Sequence, residues 1–236
     1  MCGIIGGNLF KSNEQVIKGI KALYHRGTDQ NVLMTFESGM KLAHNRLSIQ
    51  DLSEKARQPM SSSCGRYHLV FNGELWNSTF EKYNADLRAK YPFQTDKSDT
   101  ELLLYFLIEY KENLKEMLRE LNGMFAFAFY DRLEDTLYLS RDYVGRIPLY
   151  YYVNDNGLAF ASEVKGLTEC FEDLQFYRAS RRSSKEIKAK ELISIVPPGT
   201  LITCKKSEDI FFGGYETTSS IWFSFKEDKT SSDYLY

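Results

Sequence analysis

The chain begins Met1-Cys2-Gly3-Ile4-Ile5-Gly6-Gly7. Once the initiator methionine is removed, Cys2 carries a thiol and a free α-amine on one residue. Such an amine ordinarily titrates at about 7.7–8.0 and a thiol at about 8.5. The amine can therefore act as base for its own side chain, as in nucleophiles that pair threonine with an N-terminal amine. The glycines that follow let backbone and substrate approach closely. A cysteine here can equally be a small buried residue of a first strand, and position alone leaves both readings open. Three more strings hold side chains of kinds used in catalysis: His44-Asn45-Arg46-Leu47-Ser48-Ile49-Gln50-Asp51, Phe71-Asn72-Gly73-Glu74-Leu75-Trp76-Asn77 and Ser98-Asp99-Thr100-Glu101. Each also has a plain structural reading. Asn72-Gly73 matches a tight hairpin turn, and Arg46 a surface arginine on a strand. Asp99 matches an acid in a first helical turn, where it favours the helix dipole by about 0.3–1 kcal/mol.

The elements that must position these residues follow from periodicity. Val16, Ile17, Ile20 and Leu23 fall at helical spacing within 14–24, and Gly27 is expected to cap that helix. Lys41 to Ile49 and Arg66 to Leu75 read as strands, with a polar loop around Pro59 between them. Residues 77–91 read as a helix. Ser98 and Glu101 form a capping box that opens a long helix through Leu121. Its first half is apolar nearly all round, as in a helix covered on more than one side. Gly123 to Phe129 is apolar on both faces, as in a strand covered on both sides. Strands at 136–141, 149–153 and 158–161 follow, with Asn154-Asp155-Asn156-Gly157 as a hairpin turn, then a short helix over 162–171. Leu192–Val196 and Leu201–Lys205, joined by Pro197-Pro198-Gly199, resemble a further hairpin. This order lacks strict strand–helix alternation and predicts largely antiparallel sheets with helices packed outside them.

Composition narrows the classes. A net charge of −2 over 236 residues gives no nucleic-acid footprint. Cys2, Cys64, Cys170 and Cys204 are scattered, and with three histidines they form no metal-ligand spacing. Sparse cysteines and the lack of a basic-then-apolar leader suggest a cytoplasmic protein. No run reaches the ~18 apolar residues of a membrane span. No cofactor, metal, nucleic-acid or membrane partner is expected.

Taken together and in order behind the penultimate cysteine, these strings resemble the glutaminase domain of class II glutamine amidotransferases, in particular the asparagine-synthetase branch. The resemblance continues through Leu121-Asn122-Gly123 to Asp131, Arg141 to Tyr151 and Ala161 to Leu167. It covers residues 2–170 and 192–204, and Arg46-Leu47-Ser48-Ile49 favours that branch over its relatives. The resemblance implies an α+β fold, the four-layer αββα sandwich of N-terminal-nucleophile hydrolases, and L-glutamine as substrate. It implies that Cys2 attacks the amide carbon to form a γ-glutamyl thioester while its own amine shuttles the proton. Asn72 and the Gly73 N–H would form the oxyanion hole. Arg46 would grip the substrate carboxylate, and Asp99 and Glu74 the α-ammonium. Leu47, Ser48, Ile49 and Gln50 would line the same pocket. His25, His44 and His68 are expected to be structural.

The chain departs from that pattern in three places. Thr28 stands where the family usually has proline. The basic stretch 173–190 is longer than the usual connection. The Ser-Gly-Gly-x-Asp-Ser pyrophosphate loop of asparagine synthetases does not occur. The expectation is a glutaminase domain over 2–205 with a basic insertion at 173–190. Residues 206–236 form a tail that docks a partner or is disordered. The expected function is glutamine hydrolysis to supply ammonia to a separate synthetase subunit. The alternative is a catalytically silent module that senses glutamine or regulates such a subunit.

Overall fold

A computed structural model describes residues 1–48, 53–171, 174, 193–207 and 215–223. Two six-stranded sheets form its centre. The strands are β1 (Gly3–Gly7), β2 (Gln30–Thr35), β3 (Lys41–Arg46), β4 (Met60–Ser61), β5 (Tyr67–Leu75), β6 (Gly123–Asp131), β7 (Thr136–Arg141), β8 (Tyr150–Asn154), β9 (Gly157–Ala161), β10 (Ile193–Ile195), β11 (Thr200–Lys206) and β12 (Tyr215–Ile221). One sheet has the order β10-β8-β9-β1-β3-β2 and the other β12-β11-β7-β6-β5-β4. The neighbouring strands pair antiparallel in both.

Helix α1 (Asn13–Ala22) and the short α5 (Val164–Thr168) cover the outer face of the first sheet, while α2 (Asn77–Lys90) and α3 (Asp99–Glu109) cover that of the second. The layers therefore run helix, sheet, sheet, helix. The pleat of β6 shows how the sequence builds them. Phe125, Phe127 and Phe129 point under α3, and Ala126, Ala128 and Tyr130 point between the sheets. A pleated strand turns alternate side chains to opposite faces, so large rings meet the helices and alanines let the sheets approach. Each buried phenylalanine contributes about 1.5–3 kcal/mol of hydrophobic stabilisation.

Several expected elements end differently. The α1 segment closes at Ala22 with Leu23 as its C-cap, and Gly27, in extended backbone, caps the 3-10 turn Tyr24–Arg26 that follows, its N–H donating to Tyr24 O. Its glycine is required by close approach, since a Cβ there would lie 2.4 Å from the Asn45 carbonyl oxygen. The capping box is half formed. Ser98 Oγ accepts from Glu101 N, but the Glu101 carboxylate turns to Gln94 N, Thr95 N and Thr95 Oγ1. The long helix breaks after Glu109 into a 3-10 turn and α4 (Leu114–Met117). Lys111 there reaches back to the buried Asp131, 2.9 Å away, which draws the chain off the helical path.

The predicted hairpin at 192–205 does not form. β10 pairs with β8 in the first sheet, and β11 pairs with β7 and β12 in the second. Pro197-Pro198-Gly199 is a crossing between sheets. Strand β2 gave no sequence signal, nor did β12. The sequence boundary at 205 left residues 215–223 in the tail, yet β12 pairs with β11 over its full length and Trp222 is completely buried. The basic stretch 173–190, apart from buried Leu174, lies outside the described residues, as do 224–236.

Candidate active site

Cys2 lies at the start of β1, which pairs with β3 so that Gly3 faces Asn45. That register sets Cys2 beside the end of β3, where Arg46 and Leu47 leave the sheet. The Cys2 Sγ accepts from Leu47 N at 3.4 Å and lies 3.7 Å from Leu47 O. Arg26 holds the other side of the residue: its Nε donates to the Cys2 carbonyl at 2.9 Å while its Nη1 pairs with Glu163 at 2.7 Å. Burial pushes the Cys2 thiol pKa up, and the Leu47 N–H, the chain's N-terminal charge and Arg46 oppose that rise.

The facing sheet supplies the opposite wall. The C-terminal half of β5 carries Asn72, Gly73 and Glu74, and the first turn of α3 carries Asp99. Cys2, Arg46, Leu47, Ser48, Asn72, Gly73, Glu74 and Asp99 all line one cleft of about 140 Å³. That volume suits a molecule of amino-acid size and is well below the several hundred Å³ typical of drug-sized ligands. Ile49 and Gln50 lie outside the described residues. None of the three histidines lines the cleft. His44 is buried beneath it, with burial driving its pKa to about 3. His25 pairs with Glu163, and the ring of His68 packs against Phe36 at a tilt of 56°.

Asn72 and Gly73 are not a hairpin turn. They sit within β5, where Asn72 faces Ala126 and Gly73 faces Phe125. Asn72 is only 1% exposed, yet neither Nδ2 nor Oδ1 has a hydrogen-bond partner among the described residues. Leaving such a group unmet costs about 1–3 kcal/mol, a cost that falls at the wall of the cleft. Gly73 is forced to be glycine: its φ is +156°, and a Cβ would lie 2.1 Å from the Met124 carbonyl oxygen. Alternate N–H groups of a central strand point to opposite edges. Phe71 N donates to Gln58 Oε1 and Leu75 N to Asp99 Oδ2. The Gly73 N–H lies between them on the same edge, the one that opens to the cleft.

Asp99 is buried, and desolvation lifts its pKa to about 6 against the bond it accepts from Leu75 N. A cationic group brought beside it would relieve that cost. Sequence reasoning missed three residues that shape the site. Asp29 accepts from Ser48 N at 2.7 Å and fixes the chain leaving β3. Gln58 lines the cleft. Asp142 accepts from Phe125 N, Val144 N, Arg146 N and Ile147 N, which sets the loop that brings Ile147 to the cleft. A lone polar residue in a loop carries no spacing signal that could have revealed them. Among the described residues no group of acidic, histidine or cysteine side chains is placed to hold a metal ion, and no helix is long and apolar enough to cross a membrane.

Two antiparallel sheets thus face each other with helices outside, and Cys2 lies in the cleft where their ends meet. The solved glutamine phosphoribosylpyrophosphate amidotransferase of Bacillus subtilis shares this fold, with a TM-score of 0.63 at 18% identity, over 92% of this chain and 49% of that one. The glutamine amidotransferase domain family matches residues 1–212, and the chain belongs to that family. It is 33% identical to asparagine synthetase [glutamine-hydrolyzing] 1 of Bacillus subtilis, over 97% of this chain and 37% of that protein. It is 36% identical to asparagine synthetase B of Escherichia coli, over 71% of this chain and 30% of that protein. The chain thus spans about a third of the length of the curated relatives it matches.

Proposed function

We propose that this chain is a glutaminase unit that converts glutamine and water to glutamate and ammonia, the ammonia-supplying part of an asparagine-synthetase-like amidotransferase. One observation carries the reading: a cysteine thiol, a buried amide without a partner and a buried carboxylate of raised pKa share one small cleft. The amino-acid end of glutamine is held first. Arg46 pairs with its carboxylate, a two-pronged contact suited to guanidinium. Asp99 and Glu74 hold its ammonium, and Leu47 and Ser48 supply backbone contacts.

With Met1 removed, the Cys2 amine takes the thiol proton as the sulfur attacks the amide carbon. The carbonyl oxygen becomes an oxyanion received by Asn72 Nδ2–H and the Gly73 N–H. Such donors in a water-poor site each contribute about 10²–10³ in rate. The C–N bond then breaks, the amine returns its proton to the leaving nitrogen, and ammonia departs. The γ-glutamyl thioester remains. The same amine next deprotonates a water molecule that attacks the thioester, releasing glutamate and restoring the thiol. The internal base fits the thiol's surroundings, where burial disfavours a free thiolate. While Met1 remains, the Cys2 nitrogen is an amide and has no such capacity.

The test is glutamate release from glutamine together with intact mass after treatment with a diazo-ketone glutamine analogue. The Met1-free chain should turn over glutamine and gain one adduct. Cys2→Ala should do neither. Glutamine binding by the Met1-free chain without turnover or adduct would replace the glutaminase with a sensor.

A further inference from the structure

Strand β5 has an incomplete edge. Its outer neighbour β4 is only two residues long and pairs Met60 with Leu69 and Ser61 with His68. One step further along the ladder stands Pro59, which has no N–H to donate. The chain leaves the sheet there, so backbone pairing on this edge stops just before the residues that form the cleft wall. The side chain of Gln58 takes over. Its Oε1 accepts from Phe71 N at 2.6 Å, and its Nε2 donates to Thr100 Oγ1 at 3.2 Å. The amide orientation is unambiguous, because a backbone N–H must face the oxygen. Gln58 is buried and itself lines the cleft.

Both of its partners are next to proposed functional residues. Phe71 precedes Asn72, and Thr100 follows Asp99. On the open edge of β5, the Gln58–Phe71 and Asp99–Leu75 bonds flank the Gly73 N–H on either side. We propose that Gln58 is a positioning residue that, beside the Asp99–Leu75 bond, holds the oxyanion strand and the ammonium-binding helix at a fixed spacing along one wall of the cleft. This rests on the glutaminase reading above. A glutamine molecule reaches both elements, with its amide at β5 and its ammonium at α3. A shift of about 1 Å between reacting groups can cost 10²-fold in rate, so a side chain that ties the two elements together governs both binding and chemistry.

The experiment is steady-state kinetics on the Met1-free full chain carrying Gln58→Met, Gln58→Glu or Thr100→Val, with melting curves for each. Gln58→Met keeps the length and loses both bonds. It should lower kcat about 10- to 100-fold and raise KM. Gln58→Glu keeps an acceptor for Phe71 N and should recover at least a fivefold part of that kcat loss. Thr100→Val frees only the helix end and should raise KM several-fold with little change in kcat. A folded Gln58→Met variant with wild-type kcat and KM overturns the proposal while leaving the glutaminase intact. If Gln58→Met does not fold, Thr100→Val decides, and a wild-type KM in that variant also overturns it. A wild-type chain that releases no glutamate sinks both readings.

Discussion

Asn72 is the residue whose environment makes the clearest statement. A side-chain amide buried to 1% with neither end bonded stabilises nothing in the fold. Asn72→Ala should therefore lower kcat by about 10²–10³ while the melting temperature stays level or rises. A melting temperature lowered as far as the activity would place Asn72 among the structural residues instead. Asp99 makes a second statement. Burial holds its pKa near 6, so in the empty site this carboxylate, proposed to receive the ammonium, is protonated as pH falls below that value. Glutamine binding to the inactive Cys2→Ala variant should weaken from pH 7 to pH 5, and titration calorimetry reads this directly. Adding Asp99→Asn should weaken binding at neutral pH and flatten the dependence. A slope that survives Asp99→Asn would assign it to another group.

Among the elements, β12 and the residue after it decide how far the domain extends. Trp222 stacks on Phe125 with ring centroids 6.3 Å apart, and its Nε1 donates to Ser140 Oγ at 3.0 Å. Phe125 in turn faces Gly73 across the β5–β6 ladder, so this tryptophan backs the strand pair that carries Asn72 and Gly73 into the cleft wall. Deleting a large buried ring typically costs about 3–5 kcal/mol. Trp222→Ala should lower the unfolding free energy by that amount in denaturant titration, whereas a change below about 1 kcal/mol, the size of an ordinary surface substitution or less, would show that β12 is loosely attached. A polar strand of sequence Tyr-Glu-Thr-Thr-Ser-Ser-Ile owes its place to pairing with β11, to Trp222 and to Tyr215, whose hydroxyl donates to Asp135 at 2.8 Å, rather than to a continuous apolar face.

Over the whole molecule, two open sheets are pressed together with their helices outside, and several charges are sunk into the structure, Asp131 most completely. Burial alone would raise its pKa, but Arg66 and Lys111 bonded to it bring it down to about 2. A carboxyl with a folded pKa below its unfolded value of about 3.9 lends stability above that value and loses it as pH falls through the folded one. The unfolding free energy should thus drop between pH 4 and pH 2, read by denaturant midpoints across that window. Asp131→Ala leaves Lys111 without a buried counter-charge and should cost about 3–5 kcal/mol at neutral pH. An unchanged midpoint would mean that solvent already screens the pair. Because the chain matches only about a third of its curated relatives, the ammonia this unit releases is proposed to pass to a synthetase domain or subunit.

The local patterns were readable without coordinates. Residues three and four apart in α1, the doubly apolar run of β6 and the capping serine of α3 are short-range matters, and each appears close to its expected place. The penultimate cysteine and the ordered strings behind it led to the glutaminase family for the same reason, since each string is contiguous. Pairing is different. Nothing within Ile193–Lys206 says that its halves join different sheets, because the choice depends on β8 and β7, more than 40 residues earlier. Asn72-Gly73 looks like a turn until β6 is laid beside it. The partnerless amide, the raised Asp99 pKa and the role of Gln58 arise only when distant segments close around them, since burial and unmet hydrogen bonds belong to the folded chain and not to any stretch of it.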